Sequence, residues 1–220
     1  MQQTIIFDMD GVIVESEPIY RAVSNRYFAT LGIKISDEVY ETFVGASAHE
    51  NLTYVKQNYS VEPSVAEMIQ ALRAAYLEEV KTMEFLPIVP NTRALIELLQ
   101  NTDYQLILAS SANRKNINLV LDRLELTDVF EHKVSGAELP KSKPDPAIFL
   151  KAAELGKVAP KNCLVIEDSR HGVTAAKAAG MSCVGYQNPY SGNQDLSHAD
   201  AVVKNMNEID LELIDKLLKL

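Results

Sequence analysis

Two aspartates stand one residue apart, Asp8 and Asp10, directly after the apolar run 5–7, and Gly11 follows them. Residues two apart on a strand point to the same face, so the two carboxylates would repel each other. Such a pair is stable where a cation lies between the acids or where one acid takes a proton. A solvated Asp-Gly turn is the simpler alternative. A calcium loop of the EF-hand type is excluded, because the apolar residues 12–14 replace the oxygen ligands that it needs.

Polar residues also follow three later strand-like elements of the chain. These residues are Ser110 and Ser111 in LASS, Lys141 and Lys143 in LPKSKPDP, and Glu167, Asp168 and Ser169 in CLVIEDS. Each alone has an ordinary explanation: a helix-capping serine, a solvated lysine, or acids that favour the start of a helix. Because the carboxyl ends of parallel strands meet at one edge of a sheet, we expect all of them to lie together, where a shared chemical site explains them better.

The acids in this set predict a site for a hard divalent cation. Asp8, Asp10 and Asp168 supply oxygen ligands, and magnesium binds through a few carboxylates, several waters and substrate phosphate. This cation would allow two acids to share the end of one strand.

The same residues are suited to phosphoryl transfer. A hydroxyl from Ser110, the amine of Lys143 and a helix that begins near Asn113 would cradle a phosphate. One aspartate could attack phosphorus and form an aspartyl-phosphate. The other could protonate the leaving oxygen and then deprotonate water. Gly11 allows a sharp turn of the chain behind the pair.

The elements that must position these residues predict an α/β fold, with a Rossmann-like parallel sheet core and an inserted all-helical cap domain. Apolar runs predict strands at 4–7, 105–109, 163–166, 181–185 and 201–203, and apolar residues at helical spacing predict helices at 91–100, 113–124, 146–155 and 175–179. About ninety residues separate the first two strands, far more than one crossover helix needs. Helical patterns at 16–31 and 64–81 place the cap at 15–85, and the core is then 1–14 and 86–220.

Composition limits the class of protein. The net charge of −9 over 220 residues argues against a nucleic-acid binder, but a few local lysines can still bind an anionic metabolite. No apolar run approaches the ~18 residues of a membrane span, so we expect no membrane partner. Cys163 and Cys183 lie in apolar runs and are typical of core thiols in a reducing compartment. We expect a cytoplasmic monomer without a secretion signal.

Four segments together resemble a known family. FDMDGV, LASS, SKPDP and EDSRHGVTAAKAAGM are similar, in order, to the four motifs of the haloacid dehalogenase superfamily of phosphotransferases. The helical insert resembles the small cap of the branch that contains β-phosphoglucomutase and many sugar-phosphate phosphatases. The similarity covers nearly the whole chain.

The resemblance implies a role for each core residue. Asp8 would be the nucleophile and a magnesium ligand, and Asp10 the general acid/base, with its backbone carbonyl also on the metal. Ser110 and Lys143 would hold the transferring phosphoryl group, and Asp168 would bind magnesium with Glu167 close by in the metal shell. Dehalogenases of the superfamily lack the second aspartate, so Asp10 points away from dehalogenation.

The resemblance leaves the acceptor of the phosphoryl group open. Mutases of the branch carry a histidine near the place of Tyr20 and a cap arginine near Ala48, and both are missing here. Water then becomes the natural acceptor, which favours a phosphatase acting on a small phosphorylated metabolite, with β-phosphoglucomutase as the alternative. A non-catalytic metal-dependent binding module is an alternative of another class, against which the intact pair of aspartates argues.

The substrate-binding residues are predicted less directly. We expect contacts from Gly11, Ser111 and Asn113 in the core and from Tyr20, Ser47 and His49 in the cap. His49 could replace the missing cap cation, or it could be a surface histidine at the start of a helix. Hexose phosphates, glycol phosphates, nucleotides and pyrophosphate all remain open as substrates.

Overall fold

One parallel sheet forms the centre of the protein, whose computed structural model describes residues 2–219. Its strands are β1 (Thr4–Phe7), β2 (Gln105–Ser110), β3 (His132–Ser135), β4 (Cys163–Glu167), β5 (Ser182–Tyr186) and β6 (Ala201–Val203). The strand order is β3-β2-β1-β4-β5-β6. Successive strands are therefore added on one side of β1 up to β3 and on its other side from β4 onwards. Ligands bind at such a topological switch point, here between β1 and β4, in open α/β sheets.

Helices cover both faces of the sheet and also form the insertion. They are α1 (Ser16–Thr30), α2 (Asp37–Phe43), α3 (Ala48–Asn58), α4 (Val65–Thr82), α5 (Thr92–Gln100), α6 (Arg114–Arg123), α7 (Ala147–Leu155), α8 (Arg170–Ala178) and α9 (Leu211–Leu218). Strand alternation divides the core, since Ile5 and Phe7 pack with α5, α6 and α9 while Ile6 packs with α7 and α8. The predicted α/β class with a helical cap is confirmed. None of the helices within residues 2–219 combines the length and the apolar character of a membrane span.

The inserted helices α1–α4 have a hydrophobic core of their own. Its buried residues come from all four helices and the loops between them: Phe28, Ile35, Tyr40, Phe43, Leu52, Val55, Val61 and Met68. A core of its own allows the insertion to behave as a unit, although the inner faces of α1 and α4 pack with the core of the sheet through Ile19, Val23, Tyr76 and Val80.

Two chain segments join the insertion to the sheet, and they lie side by side. The amide of Glu15 donates to the carbonyl of Pro87 at 2.9 Å, and the amide of Val89 donates to the carbonyl of Ile13 at 2.9 Å. We therefore propose domain boundaries at the predicted positions, with the cap at 15–85 and the core at 1–14 and 86–220.

An arginine of the core also holds the C-terminal end of the cap, next to the second linker. Arg123, at the end of α6, donates to carbonyls around the end of α4: Val80, Lys81, Met83 and Glu84. The last carbonyls of a helix have no partner within it and carry partial negative charge, so a guanidinium with five donors suits them.

Candidate active site

The register of the sheet determines which polar residues come together. Phe7 lies opposite Leu108 of β2 and Ile166 of β4, so the residue after each strand end reaches the same edge. The amide of Asp8 still donates to the carbonyl of Ile166 at 3.0 Å and holds Asp8 at that edge. Asp8 therefore stands beside Glu167, as the sequence predicts.

Lys143 is buried between two carboxylates. Its Nζ lies 2.5 Å from Asp8 Oδ1 and 2.6 Å from Glu167 Oε1, and its side chain is only 7% exposed. The same amine lies 5.0 Å from the centre of the Phe149 ring. Burial lowers the pKa of Lys143, but Asp8 and Glu167 raise it by more, so the amine stays charged. The structure thus brings the third motif of the sequence to the first and the fourth.

The acids of the site outnumber this lysine. Burial, opposed by Lys143 and assisted by Glu167 and Asp10, raises the pKa of Asp8 to about 7. Burial also raises the pKa of Asp10, and that of Asp168 is raised by burial and by Glu167 and Asp8. An added cation would offset this crowding of charge.

The residues present fit a magnesium ion. The carboxylates of Asp8 and Asp168, with the backbone carbonyl of Asp10, form the oxygen donor set that a hard cation takes when waters and phosphate complete its shell. Within residues 2–219 no three acidic, histidine or cysteine side chains are already arranged around one point, so the ion would depend on waters and substrate as well. Both oxygens of Glu167 have protein partners, Lys143 on one and Ser169 on the other. Its place in the metal shell stays a prediction.

Two glycines make room for these acids. A Cβ on Gly11 would lie 2.0 Å from Asp168 Oδ2, and the φ of Gly11 is +75°, which favours glycine. A Cβ on Gly172, in the first turn of α8, would lie 1.7 Å from Glu167 Oε1. Gly11 is therefore needed for close packing of the acids, in addition to the turn that the sequence predicts.

The loop after β5 adds two residues that the sequence analysis missed. Ser191 donates from its hydroxyl to Asp168 Oδ2. Asn188 donates to the carbonyl of Gly11 at 2.8 Å and to Glu15 Oε2 at 2.9 Å. The signal was present in the sequence, because this polar loop follows a strand that ends at the same sheet edge.

The polar residues at the end of β2 and directly after it have different contacts. Ser110 is completely buried, and its hydroxyl accepts from the amide of Ala112 at 3.0 Å. Asn113 caps α6 by accepting from the amide of Asn116 at 2.9 Å. Ser111 is exposed, and together with Asn113 it lines the cavity described next.

A cavity of about 1010 Å³ separates the cap from this edge of the sheet. The core contributes Asp8, Asp10, Gly11, Ser111, Asn113, Lys143, Glu167 and Asp168, and the cap contributes Tyr20, Ser47, Ala48 and Arg73 among others. Ser47 also caps α3 in a reciprocal arrangement with Glu50. His49 is exposed and does not line the cavity, so Arg73 of α4 is the cap cation that faces it.

Comparison with known proteins agrees with this architecture. Residues 5–186 match the family model described as haloacid dehalogenase-like hydrolase. A phosphorylated carbohydrates phosphatase of Thermotoga maritima is 29% identical over 98% of this chain and 100% of its own. Hexitol phosphatase B of Escherichia coli K12 is 32% identical over 93% of this chain and 92% of its own. The crystal structure of β-phosphoglucomutase from Clostridium difficile superposes with a TM-score of 0.82 at 27% identity, covering 100% of this chain and 98% of that one.

The fold and the site define a capped α/β hydrolase with a buried aspartate–lysine pair. The chain belongs to the haloacid dehalogenase-like hydrolase family. The predicted class of enzyme is confirmed at this level: the relatives are phosphatases and a phosphoglucomutase.

Proposed function

We propose that the protein is a magnesium-dependent phosphatase that hydrolyses a small phosphate ester, such as a sugar phosphate, through an aspartyl-phosphate on Asp8. The observation that carries this proposal is the buried contact of Lys143 with Asp8 at 2.5 Å on the floor of the cap cavity. A lysine in that position neutralises the nucleophile before reaction and can hold a phosphoryl oxygen during it.

The first step would transfer the phosphoryl group to the protein. Asp8 attacks phosphorus in line with the leaving oxygen, so that a new oxygen–phosphorus bond forms as the ester bond breaks. Asp10 gives its proton to the leaving oxygen, and its raised pKa suits it to carry that proton. Magnesium, when held by Asp8, Asp168 and the Asp10 carbonyl, would neutralise charge on the phosphoryl oxygens.

The second step would return Asp8 to its free form. Asp10, now ionised, takes a proton from a water that attacks phosphorus, and the bond to Asp8 breaks with release of inorganic phosphate. Lys143 and Ser110 keep the phosphoryl group in place through both steps. The cap above the site excludes bulk water, so that only a positioned water reacts.

A colorimetric assay of phosphate release from a panel of sugar, polyol, glycol and nucleotide phosphates tests this proposal. We expect release that needs magnesium, stops in excess chelator and returns when magnesium is restored. Calcium should inhibit, because its looser coordination shell disturbs in-line geometry. Full activity in excess chelator would rule out the metal, and the absence of release from every ester would favour a non-catalytic binding module.

A β-phosphoglucomutase is the second candidate. Arg73 favours it, since this cap arginine lines the cavity and has no acidic partner within residues 2–219, so it could hold the second phosphate of a bisphosphate intermediate. Conversion of β-glucose 1-phosphate into glucose 6-phosphate with little phosphate released would establish the mutase.

We also propose a cytoplasmic monomer that acts on a small phosphorylated metabolite, without a nucleic-acid or membrane partner. Both cysteines are free and buried, which suits a reducing compartment. Elution with the mass of one chain in size-exclusion chromatography with light scattering would support the proposal that the protein is a monomer.

A further inference from the structure

Three buried side-chain atoms within residues 2–219 have no hydrogen-bond partner: Asp10 Oδ1, Tyr76 OH and Asn116 Oδ1. A buried polar atom without a partner costs roughly 1–3 kcal/mol, so native proteins rarely keep one without a reason. All three residues line the cavity between the cap and the sheet. Tyr76 is 1% exposed and Asn116 is 4% exposed, so bulk water does not satisfy them.

These residues come from separate segments but form one group. Tyr76 of α4 stacks on Tyr20 of α1, with ring centres 3.9 Å apart and an angle of 8° between the planes. Burial and then Asp10 raise the pKa of both tyrosines, whereas Asn116 of α6 acts to lower that of Tyr20. Both tyrosines and Asn116 line the same cavity as Asp10, the residue proposed to protonate the leaving oxygen.

The hydrogen-bonding capacity of Tyr76 and Asn116 indicates which group of a ligand could pair with both. Asn116 Oδ1 accepts a hydrogen bond, whereas the hydroxyl of Tyr76 can donate one. A substrate hydroxyl can donate to Asn116 and accept from Tyr76 at the same time, whereas a carbonyl can only accept. An anionic group without a proton could accept from Tyr76 but could not donate to Asn116. An ammonium group would bond to Asp10 and so compete with the leaving oxygen for it.

We propose that Tyr76 and Asn116 bind a hydroxyl on the carbon next to the phosphoester carbon of the substrate. This inference rests on the proposed function, because Asp10 marks the position of the leaving oxygen. With that oxygen at Asp10, a hydroxyl on the adjacent carbon would enter the part of the cavity that Tyr76 and Asn116 line. The enzyme would therefore prefer esters of vicinal diols, a class that includes polyol and many sugar phosphates.

Three small esters that differ at one atom test the inference: 2-hydroxyethyl phosphate, n-propyl phosphate and 2-aminoethyl phosphate. We expect kcat/KM for the hydroxyl ester to exceed that for the propyl ester by about 10- to 100-fold, because the propyl ester leaves both polar groups unpaired. In Tyr76→Phe and in Asn116→Leu this ratio should fall about 10-fold or more toward one. A ratio near one in the unmodified protein, as expected if a buried water occupies the position, would overturn the inference. Preference for the amine would also overturn it.

Tyr104→Phe is the matched control, since its hydroxyl donates to Asp215 at 2.5 Å and lies at the other end of β2, away from the cavity. It should leave the substrate ratio unchanged but lower the midpoint of urea unfolding. Tyr76→Phe should leave that midpoint unchanged or raise it, because it removes an unpaired buried hydroxyl. A loss of stability in Tyr76→Phe equal to that in Tyr104→Phe would mean that the Tyr76 hydroxyl already has a protein partner.

A binding experiment separates this inference from the proposed function. In Asp8→Asn, calorimetric titration should give tighter binding of 2-hydroxyethyl phosphate than of n-propyl phosphate even without turnover. If no ester is hydrolysed by the unmodified protein but this preference holds, the proposed phosphatase is wrong and the hydroxyl subsite stands. If hydrolysis needs Asp8 but both esters bind equally, the phosphatase stands and the subsite is wrong.

Discussion

At the scale of single residues, the proposed role of Asp8 as the nucleophile can be tested by replacing one oxygen of its carboxylate. Asp8→Asn keeps the size of the side chain but removes the nucleophilic oxygen, so phosphate release should fall at least about 10⁴-fold. The fold should survive, because the change also removes one negative charge from a crowded group of acids. Phosphate release and thermal unfolding measured on the same preparation check this prediction. A folded variant with unmodified activity would disprove the assignment of the nucleophile.

Lys143 should contribute to both stability and catalysis. Its replacement by methionine leaves Asp8 and Glu167 facing each other without their shared cation, and removing one partner of a buried pair costs about 3–5 kcal/mol. In Lys143→Met we therefore expect a lower urea midpoint in metal-free protein and a loss of phosphate release. The matched control is Lys141→Met, two residues earlier, whose side chain is 75% exposed and should be replaceable at little cost. Equal stability of the two variants would contradict the structural role of Lys143.

At the scale of elements, Arg123 is expected to stabilise the C-terminal end of α4. In Arg123→Met, α4 loses the donor to its final carbonyls, so amide hydrogen exchange should quicken in the last turns of α4 and across the cap–core contact. The affinity for substrate should fall as well, because closure of the cap would be less well defined. Arg26→Met is the control, since Arg26 pairs with Glu79 of α4 from within the cap and is 58% exposed. Similar exchange in both variants would mean that Arg123 does not anchor the cap.

The elements predicted from the sequence differ in how well they were found. β1 and β6 have the predicted bounds, because each is a continuous apolar run. β1 is fully buried, as such a run in a parallel sheet predicts, whereas β6 lies at the sheet edge and Val202 is exposed. β3 was only a weak signal, since His132 and Lys133 are partly exposed at the sheet edge. Apolar periodicity placed both ends of α1 and of α4 to within one residue, whereas the short helix α2 gave no separate prediction.

The residues of the candidate site also differ in whether the sequence alone could predict them. Residues that follow strands could be found, because the end of a strand fixes their position at the sheet edge. Tyr76 and Asn116 could not be found from the sequence, because each lies on the apolar face of its helix. Only the packing of the cap on the core brings the two residues to the same cavity. An asparagine beside the buried Ile117 on the inner face of α6 was the one available signal.

At the scale of the whole molecule, we expect the cap to determine whether water or a sugar accepts the phosphoryl group in the proposed reaction. The two linkers are hydrogen-bonded to each other near Val14 and Pro87, and we expect the cap to open and close about this narrow connection. A mutase must retain a doubly phosphorylated intermediate while it turns over in the cavity, and this needs a cap cation for the distal phosphate. Ala48 provides none, and Arg73 approaches from α4 instead.

We therefore predict that free phosphate exceeds isomerised product for every hexose monophosphate tested, and that Arg73 modulates this partition. In Arg73→Gln, affinity for glucose 1,6-bisphosphate should fall about 10-fold while affinity for the monophosphates changes little, because only the distal phosphate meets the arginine. Ala48→Arg should move the partition the other way, by adding a second cation on the cap side of the cavity. Simultaneous measurement of inorganic phosphate and of glucose 6-phosphate from β-glucose 1-phosphate checks both changes. Efficient isomerisation by the unmodified protein, lost in Arg73→Gln, would make Arg73 the mutase cation and the phosphatase reading wrong.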